Sequence, residues 1–505
     1  MVDRPKILQI TTNMPMQDEI HFGIKWVSGS IFLTKVISFL TSVALARLLV
    51  PEMFGLVAMA SVAMATIGVI REIGFDSAYI QRQNKDQEEE RVAADTIFFI
   101  GLVLNGLLFS AGIVLSPLIA DFFKTTQLEN VLRILFVSFL FDAITTVPRL
   151  RLQKELEFGK QALCEIVEAL SNTLIAIPFA LTGWGVWSLV FGQLGSKFVF
   201  MLMTFKLSGW RPRLEFSVKI AKEMLVYGKF IWAFLVLSAI GNNLEKAIIG
   251  RFIGAESLGY YGLAFNLSTL PATNISALIN RITFPFFSKV QNDLSRLKQA
   301  FLKTLSHASI ISIPIAFGFW AIAENLVLAI YGSKWLPAVP LIKILILYGL
   351  SLSIASLTGP VFKAIGKPDV MLYASVFHHI IKISLLFLFF GNGVIGICYA
   401  VVIPSLVSSL IAFILVTIYL KLSTKELIKP MAMSGLCSLA MFLAIKTFEL
   451  SLAANAAIPL SALLLSSIIF GMIIYFLVTF FVRRTFLSEF KNTLIAIIRS
   501  KGRLV

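Results

Sequence analysis

Long apolar runs, interrupted by charges and turn residues, constrain this chain more than any other feature. Each run is close to the ~20 helical residues that cross a ~30 Å hydrocarbon layer. Fourteen are distinguished, at about 27–49, 54–75, 92–118, 131–148, 163–182, 185–205, 228–250, 258–283, 303–323, 338–358, 370–390, 394–419, 431–449 and 458–482. The run at 131–148 is the weakest, because Arg133 and Asp142 fall inside it. The chain is 57% hydrophobic and 14% charged, with mean hydropathy +0.86, a balance incompatible with a soluble protein of 505 residues. Lipid offers backbone groups no outside partner, so the spans must be helices. An outer-membrane barrel would instead show alternating strands of ~10 residues. The expected fold is an all-α polytopic membrane protein with about 14 transmembrane helices.

Lys and Arg set the expected orientation. With a cytoplasmic N-terminus and alternating sides, most of the 44 basic residues fall in cytoplasmic loops and tails. Arg47, Lys124, Arg133, Arg251, Lys334, Lys343 and Lys446 lie at or near the opposite face. That imbalance is the positive-inside signal, and it places both termini in the cytoplasm. The net charge of +16 then belongs to loops facing an anionic inner leaflet, and no nucleic-acid partner is implied. Residues 1–20 form a polar tail without an h-region or cleavage site, so no secretory signal is expected. Cys164, Cys398 and Cys437 are scattered through apolar runs, with neither disulfide nor metal spacing.

A short pattern occurs twice. Arg47-Leu-Leu-Val-Pro-Glu52-Met-Phe-Gly55 and Arg251-Phe-Ile-Gly-Ala-Glu256-Ser-Leu-Gly259 share Arg, Glu and Gly at identical offsets, each where an apolar run ends. Gly183-Trp-Gly185-Val186 before the sixth span returns as Gly391-Asn-Gly393-Val394 before the twelfth. Lys206-Leu-Ser208 and Lys421-Leu-Ser423 follow those same spans. Six spans per half leave both halves in one orientation, which predicts a parallel repeat about an axis along the membrane normal. A repeat embedded in membrane spans is the signature of a transporter built from two related halves. The expected organisation is a cytoplasmic tail (1–22), an N-terminal six-helix lobe (23–206), a cytoplasmic interfacial linker (207–227) and a C-terminal six-helix lobe (228–421). Two extra helices (430–482) and a basic amphipathic cytoplasmic tail (483–505) follow. The repeated charges are read as helix-end devices: Arg47 suits a C-terminal dipole, and Pro51 and Glu52 suit a helix start.

Ionisable groups inside spans are costly and therefore candidate functional groups. Lys35, Lys197 and Lys382 fall at inner to middle depth and Lys246 in the outer half, with Glu72, Asp142, Glu165, Glu168 and Glu245 as acidic counterparts. Several lysines around one cavity would suit an anionic substrate bearing phosphate or uronate, with Lys35 and Lys246 the leading contacts. Alternatively, the lysines pair with neighbouring carboxylates or snorkel to headgroups. Glu72, Asp142 and Glu245 are candidate coupling residues. Glu245 and Lys246 are adjacent, hence ~100° apart on a helix, and do not share a face. The eighth span carries a polar stripe, Asn266, Thr269, Thr273, Ser276 and Asn280, whose spacing holds it on one helical face around Pro271. The stripe either lines water or joins helices by hydrogen bonds. Asn242, Asn243 and Arg281 extend this candidate lining. His378 and His379 in the eleventh span read as packing or hydrogen-bonding groups before a proton relay.

No enzyme constellation is present in the sequence: there is no Walker A pattern, and no GxSxG, HExxH or DxD-like pair occurs in a soluble segment. The longest non-membrane stretches, about 206–227 and 283–302, are too short for a catalytic domain. Neither enzymatic activity nor a cofactor or metal is expected, and ATP is not the direct energy source. Arg211, Lys219 and Lys222 beside Leu214, Phe216 and Ile220 suit an interfacial segment. Leu487, Phe490, Leu494 and Ile497 beside Lys491, Arg499 and Lys501 read as a membrane-surface helix.

Several segments carry a resemblance. Arg47 to Gly55, Gly74-Phe-Asp-Ser-Ala-Tyr-Ile-Gln-Arg82 and Leu152-Gln-Lys-Glu-Leu-Glu-Phe-Gly-Lys160 resemble Wzx-type polysaccharide flippases. Arg281-Ile-Thr-Phe-Pro-Phe-Phe-Ser-Lys-Val-Gln291 and Tyr331-Gly-Ser-Lys-Trp335 are similar to the colanic-acid-exporter branch. The resemblance covers about residues 22–482. It implies the MOP superfamily, which also holds multidrug (MATE) exporters and the lipid II flippase. It further implies two six-helix lobes around a central cavity lined mainly by spans 1, 2, 7 and 8. The implied substrate is an undecaprenyl-pyrophosphate-linked oligosaccharide, moved across the bacterial inner membrane. Membrane lipids, a polysaccharide polymerase and glycosyltransferases are the implied partners. A cation-coupled exporter of small amphiphiles on the same fold is the alternative reading. A membrane-embedded glycosyltransferase or ligase would need a large periplasmic loop, which the sequence does not offer.

Overall fold

The computed structural model describes residues 16–71, 75–82, 86–213, 215–367, 369–453 and 459–482. Among them every regular element is helical. In chain order these are α1 (Met16–Leu48), α2 (Pro51–Gly68), α3 (Phe75–Gln81), α4 (Gln87–Phe123), α5 (Gln127–Phe136), α6 (Ser138–Lys154), α7 (Phe158–Leu181), α8 (Val186–Ser208) and α9 (Val218–Phe252). They continue with α10 (Ala255–Lys289), α11 (Leu294–Leu326), α12 (Ala338–Ala355), α13 (Thr358–Ala364), α14 (Asp369–Phe389), α15 (Gly393–Leu420), α16 (Thr424–Ala453) and α17 (Leu460–Val482). Short 3-10 or π turns extend α2 at Val69–Arg71 and α11 at Val327–Tyr331. Eleven stretches among the described residues are long and apolar enough to cross a membrane. Residues 1–15 of the expected tail at 1–22, and the whole expected tail at 483–505 with its amphipathic stripe ending at Ile497, lie outside the described residues, and α1 begins at Met16 within the first of them.

One run differs from the sequence expectation for a local reason. The weak run at 131–148 is two helices, α5 and α6, meeting at Val137. In α5, Leu128, Val131, Leu132, Leu135 and Phe136 are buried, while Arg133 points outward and pairs with Glu129 one turn away at 2.6 Å. The charge that weakened the run thus sits on the outer face of an amphipathic helix. The helix that carries the seventh run begins at Val218, ahead of the apolar stretch at 228–250, where Ser217 caps α9 by accepting the Ile220 N–H.

The chain forms two compact units, Met1–Gly259 and Tyr260–Val505. In the first, α7 lies against α1 and α8, and α6 lies against α4 and α8. One of its cores joins Leu45 and Leu49 to Ala176 and Ala180. Another gathers Phe75, Tyr79, Ile97, Phe98, Val147 and Leu150 with Trp210, Ile220 and Met224. The segment between α8 and α9 is therefore docked on α4: Trp210 packs edge-on against Phe98 with centroids 5.2 Å apart. Asp95 and Thr96 accept the backbone N–H groups of Arg213 and Ser217 at 3.4 and 3.1 Å. Of the apolar residues read there as interfacial, Ile220 is buried and Phe216 is exposed against Phe99.

In the second unit α11 packs on α12 and α16, and α15 on α12 and α14, with α17 beside α16. Phe287, Phe301, Leu305, Leu357, Phe362, Val416 and Leu420 form its core. Serines join the helices: Ser312 meets Ser353 at 2.7 Å, and Ser351 meets Ser409 at 2.6 Å. The glycines repeated before α8 and α15 adopt matching conformations that favour glycine, φ/ψ 56/−126 at Gly185 and 65/−154 at Gly393. The repeat therefore marks equivalent backbone as well as similar letters.

Candidate functional site

A cavity of about 410 Å³ lies in the first unit, and it concentrates charged groups within an otherwise apolar helix bundle. Three elements carry a charged cluster at its wall, of which Arg71 and Asp142 line the cavity and Lys197 does not. The turn that ends α2 supplies Arg71, the middle of α6 supplies Asp142, and α8 supplies Lys197. Arg71 Nη1 donates to Asp142 Oδ2 at 2.6 Å and to Asn105 Oδ1 at 3.1 Å. Lys197 Nζ donates to the same carboxylate, 3.3 Å from Oδ1 and 3.2 Å from Oδ2. Asn105 is fixed in turn by its own donation to Gly101 O at 2.8 Å, and Arg71 rests 5.4 Å above the Phe139 ring. Glu168 of α7 lies within electrostatic reach of Lys197 and Asp142.

A second pair, Arg149 to Asp76 at 2.9 Å, belongs to the same wall. Phe75, Ile97, Ile100, Leu104, Phe200 and Leu235 supply its apolar surface, and Thr145 and Thr146 its hydroxyls. The Arg71, Asp142 and Lys197 side chains keep 28%, 22% and 34% of their surface exposed, so the network is partly screened rather than sealed. Chemically it offers two cations sharing one carboxylate, beside neutral hydrogen-bonding groups and aromatic faces. Such a wall suits a polar, charged ligand and holds no metal-ligand cluster among the described residues.

A family model described as polysaccharide biosynthesis protein matches residues 44–340. The chain belongs to that family. Teichuronic acid biosynthesis protein TuaB of Bacillus subtilis is 27% identical, over 70% of this chain and 73% of its own length. Lipopolysaccharide biosynthesis protein WzxC of Escherichia coli is 25% identical, over 79% and 81%. The lipid II flippase MurJ in an inward closed conformation superposes with a TM-score of 0.75 at 18% identity, covering 91% of this chain and 99% of that one. An inward-facing MATE transporter of the MOP superfamily gives 0.61 at 17% identity, over 76% and 94%. The fold is that of the MOP superfamily, and one relative is named for transport: succinoglycan biosynthesis transport protein ExoT of Rhizobium meliloti, 25% identical over 67% of each chain.

Within this polysaccharide biosynthesis protein the candidates named from sequence are dispersed. Lys197 and Asp142 are brought together, in direct contact. Lys35 is exposed on α1, and Asn242 is exposed on α9. Lys246 is half-buried whereas its neighbour Glu245 is only 2% exposed, consistent with their ~100° separation around the helix. Lys382 is buried on α14 in the second unit. Of the polar stripe on α10, Asn266 is exposed and Thr269 buried, its hydroxyl donating to Phe265 O at 2.7 Å. The side chains of Thr273, Asn280 and Arg281, and residue Glu72, lie outside the described residues. His378 meets Ser408 of α15 at 3.4 Å. Among the repeat residues, Gly55 in the first turns of α2 lies against Ala255, and Gly259 in the first turns of α10 lies against Pro51. Arg251 donates to Asp121 O at 3.1 Å and lies 5.3 Å over the Phe122 ring.

Arg71 is absent from the candidates named from sequence, although it lines the cavity. The signal was available in principle: Arg71 falls inside the run at 54–75, and an intramembrane cation calls for a partner at similar depth, which Asp142 supplies.

Proposed function

We propose that this protein flips lipid-linked oligosaccharide repeat units, carried on undecaprenyl pyrophosphate, from the cytoplasmic to the periplasmic leaflet of the bacterial inner membrane. The products would serve exopolysaccharide or lipopolysaccharide assembly, upstream of a polymerase and downstream of glycosyltransferases. The reading draws on family membership and on relatives named for teichuronic acid and lipopolysaccharide synthesis. The observation that carries it is the charged, hydrogen-bonding cavity around Asp142 at the depth of apolar helices.

The physical problem is an amphipathic cargo. Sugars and pyrophosphate lose hydration on entering hydrocarbon, at several kcal/mol for each unpaired polar group, while the prenyl tail has no reason to leave it. A polar cavity replaces that lost hydration for the headgroup alone. Opening the cavity to each side in turn then moves the headgroup without pulling the tail through water. Both termini are placed in the cytoplasm by the distribution of basic residues.

The test is removal of the protein from its native cell. Cytoplasm-facing lipid-linked oligosaccharide should accumulate and surface polymer should fall, both restored by the intact gene. Unchanged polymer together with lost export of dyes or drugs would instead favour the small-amphiphile exporter.

A further inference from the structure

We propose that the segment between α8 and α9, residues 209–217, is a latch on the cavity of the first unit. Docked on α4 it holds the cavity wall closed, and it lifts once in each transport cycle. The proposal rests on the flippase reading and adds the part of this unit that must move.

Three observations converge. First, the dock and the cavity share residues. Trp210 is buried in a core that contains Phe75 of α3 and Ile97 of α4, and the same two side chains line the cavity. The segment also leads straight into α9, whose Leu235 lines the cavity and whose Trp232 donates to Val69 O beside the turn that carries Arg71. Lifting the segment therefore loosens α3, α4 and α9 at the points where they form the wall.

Second, the dock is opposed by its own polar atoms. Apolar packing of Trp210 closes it, and the N–H groups of Arg213 and Ser217 donate to the buried side chains of Asp95 and Thr96 at 3.4 and 3.1 Å. Yet Trp210 Nε1 and Asp95 Oδ2 are buried without a hydrogen-bond partner among the described residues. Each gives up hydration in the docked state and regains nothing for it, which offsets part of the packing. The described residues between Ser208 and Val218 form neither helix nor strand, so lifting them breaks no ladder of their own. An element with those properties opens locally while the helices around it stay folded.

Third, the cavity is small for its cargo. Its volume of about 410 Å³ lies near the low end of the roughly 300–1,000 Å³ that enclose a drug-sized ligand. An oligosaccharide on pyrophosphate is larger than such a ligand, so part of the wall must withdraw to admit it.

The test is to tie the segment down. Phe216 of the segment and Phe99 of α4 are both exposed, with ring centroids 5.3 Å apart, and neither belongs to the buried dock or to the cavity wall. Phe99→Cys and Phe216→Cys are combined in the full-length protein and bridged by a short, cell-permeable bismaleimide. The native Cys164, Cys398 and Cys437 are buried, and the two single-cysteine variants, treated alike, are the controls. In the deletion strain, the bridged protein should export about tenfold less or worse than the controls, with lipid-linked oligosaccharide accumulating, because the bridge forbids the open state. Untreated, the double variant should export as the controls do. Hydrogen exchange of the purified parent in lipid nanodiscs is the second readout: amides of 209–217 should exchange at least about tenfold faster than those of the α4 core. Undiminished export by the bridged protein overturns the latch, and so does exchange over 209–217 as slow as in that core. A pair that does not bridge shows that the segment is not docked on α4, which overturns it as well. The exchange readout is independent of cargo. A deletion strain that accumulates no lipid-linked oligosaccharide removes the flippase reading, whereas the opening of the segment is still decided by exchange.

Discussion

Gly55 and Ala255 approach so closely that no side chain fits between them: a Cβ on Gly55 would fall on the Ala255 carbonyl. The relation is reciprocal, for a Cβ on Gly259 would fall on the Pro51 carbonyl. These are the glycines of the duplicated Arg-x4-Glu-x2-Gly pattern, so each copy packs its glycine against the helix start of the other. Backbone rather than a flexible side chain is the obstacle, so relief requires a helix to move. Gly55→Val should cost at least the ~1–3 kcal/mol of ordinary overpacking and lower the melting temperature of the purified protein. Gly262→Ala, where a Cβ meets nothing within 4 Å, is the matched control. Equal melting of Gly55→Val and parent would show that the contact is not tight.

The Arg71–Asp142 pair should contribute little to stability despite its 2.6 Å separation. Both side chains remain partly exposed, and exposed pairs are worth about 0–1 kcal/mol. A double-mutant cycle on Arg71→Gln and Asp142→Asn, read by thermal unfolding, is expected to return a coupling of about 1 kcal/mol or less. Coupling near ~3–5 kcal/mol is the mark of a locked, buried pair and would contradict the partial exposure of both side chains. Surface polymer is the second readout: Arg71→Gln should lower it strongly while the amount of protein in the membrane stays level.

The helical class and most span positions were legible in the sequence because one physical variable, the length of an apolar run, decides them. The structure differed where a second variable intervened. Val137 divides a single run because α5 is amphipathic, and its outward Arg133 depressed the average hydropathy without marking a helix end. The start of α9 lies ahead of its apolar run because a lone Ser217 cap begins the helix within polar sequence. At the site, Lys197 and Asp142 were named for separate roles, yet they touch. They are 55 positions apart on different helices, and no periodicity within one helix reports a contact between two. Gly55 and Gly259 were legible as a repeat but not as a mutual contact, for the same reason.

The docked segment between α8 and α9 makes a prediction that separates it from a loose membrane-surface linker. Trp210 is 3% exposed and packs on Phe98, so Trp210→Ala should cost about 3–5 kcal/mol locally, the usual range for a buried Trp. Release of the segment would free the backbone at Arg213, whose N–H is held by Asp95, for cleavage by trypsin, whereas the Arg211–Pro212 bond is not a trypsin site. Limited proteolysis should therefore cleave the variant there well before the parent. Cleavage of both at the same rate would mean that the segment is already open in the parent.

In the second unit, Ser351 of α12 sits between two serines of α15, 2.6 Å from Ser409 Oγ and 2.9 Å from Ser405 Oγ, and also donates to Ser405 O at 3.0 Å. Hydroxyl pairs of this kind join membrane helices where no water competes, although each contributes only about 0.6 kcal/mol on average. Ser351 serves three contacts, so Ser351→Ala removes all of them and leaves the Ser405 and Ser409 hydroxyls to find new partners. The expected loss is about 1–2 kcal/mol, larger than for Ser409→Ala, which ends one contact. The double variant should lose less than the sum of the two, since its second substitution deletes a hydroxyl the first had already orphaned. Strict additivity in thermal unfolding would indicate that the serines do not act as one network, and that packing alone holds α12 against α15.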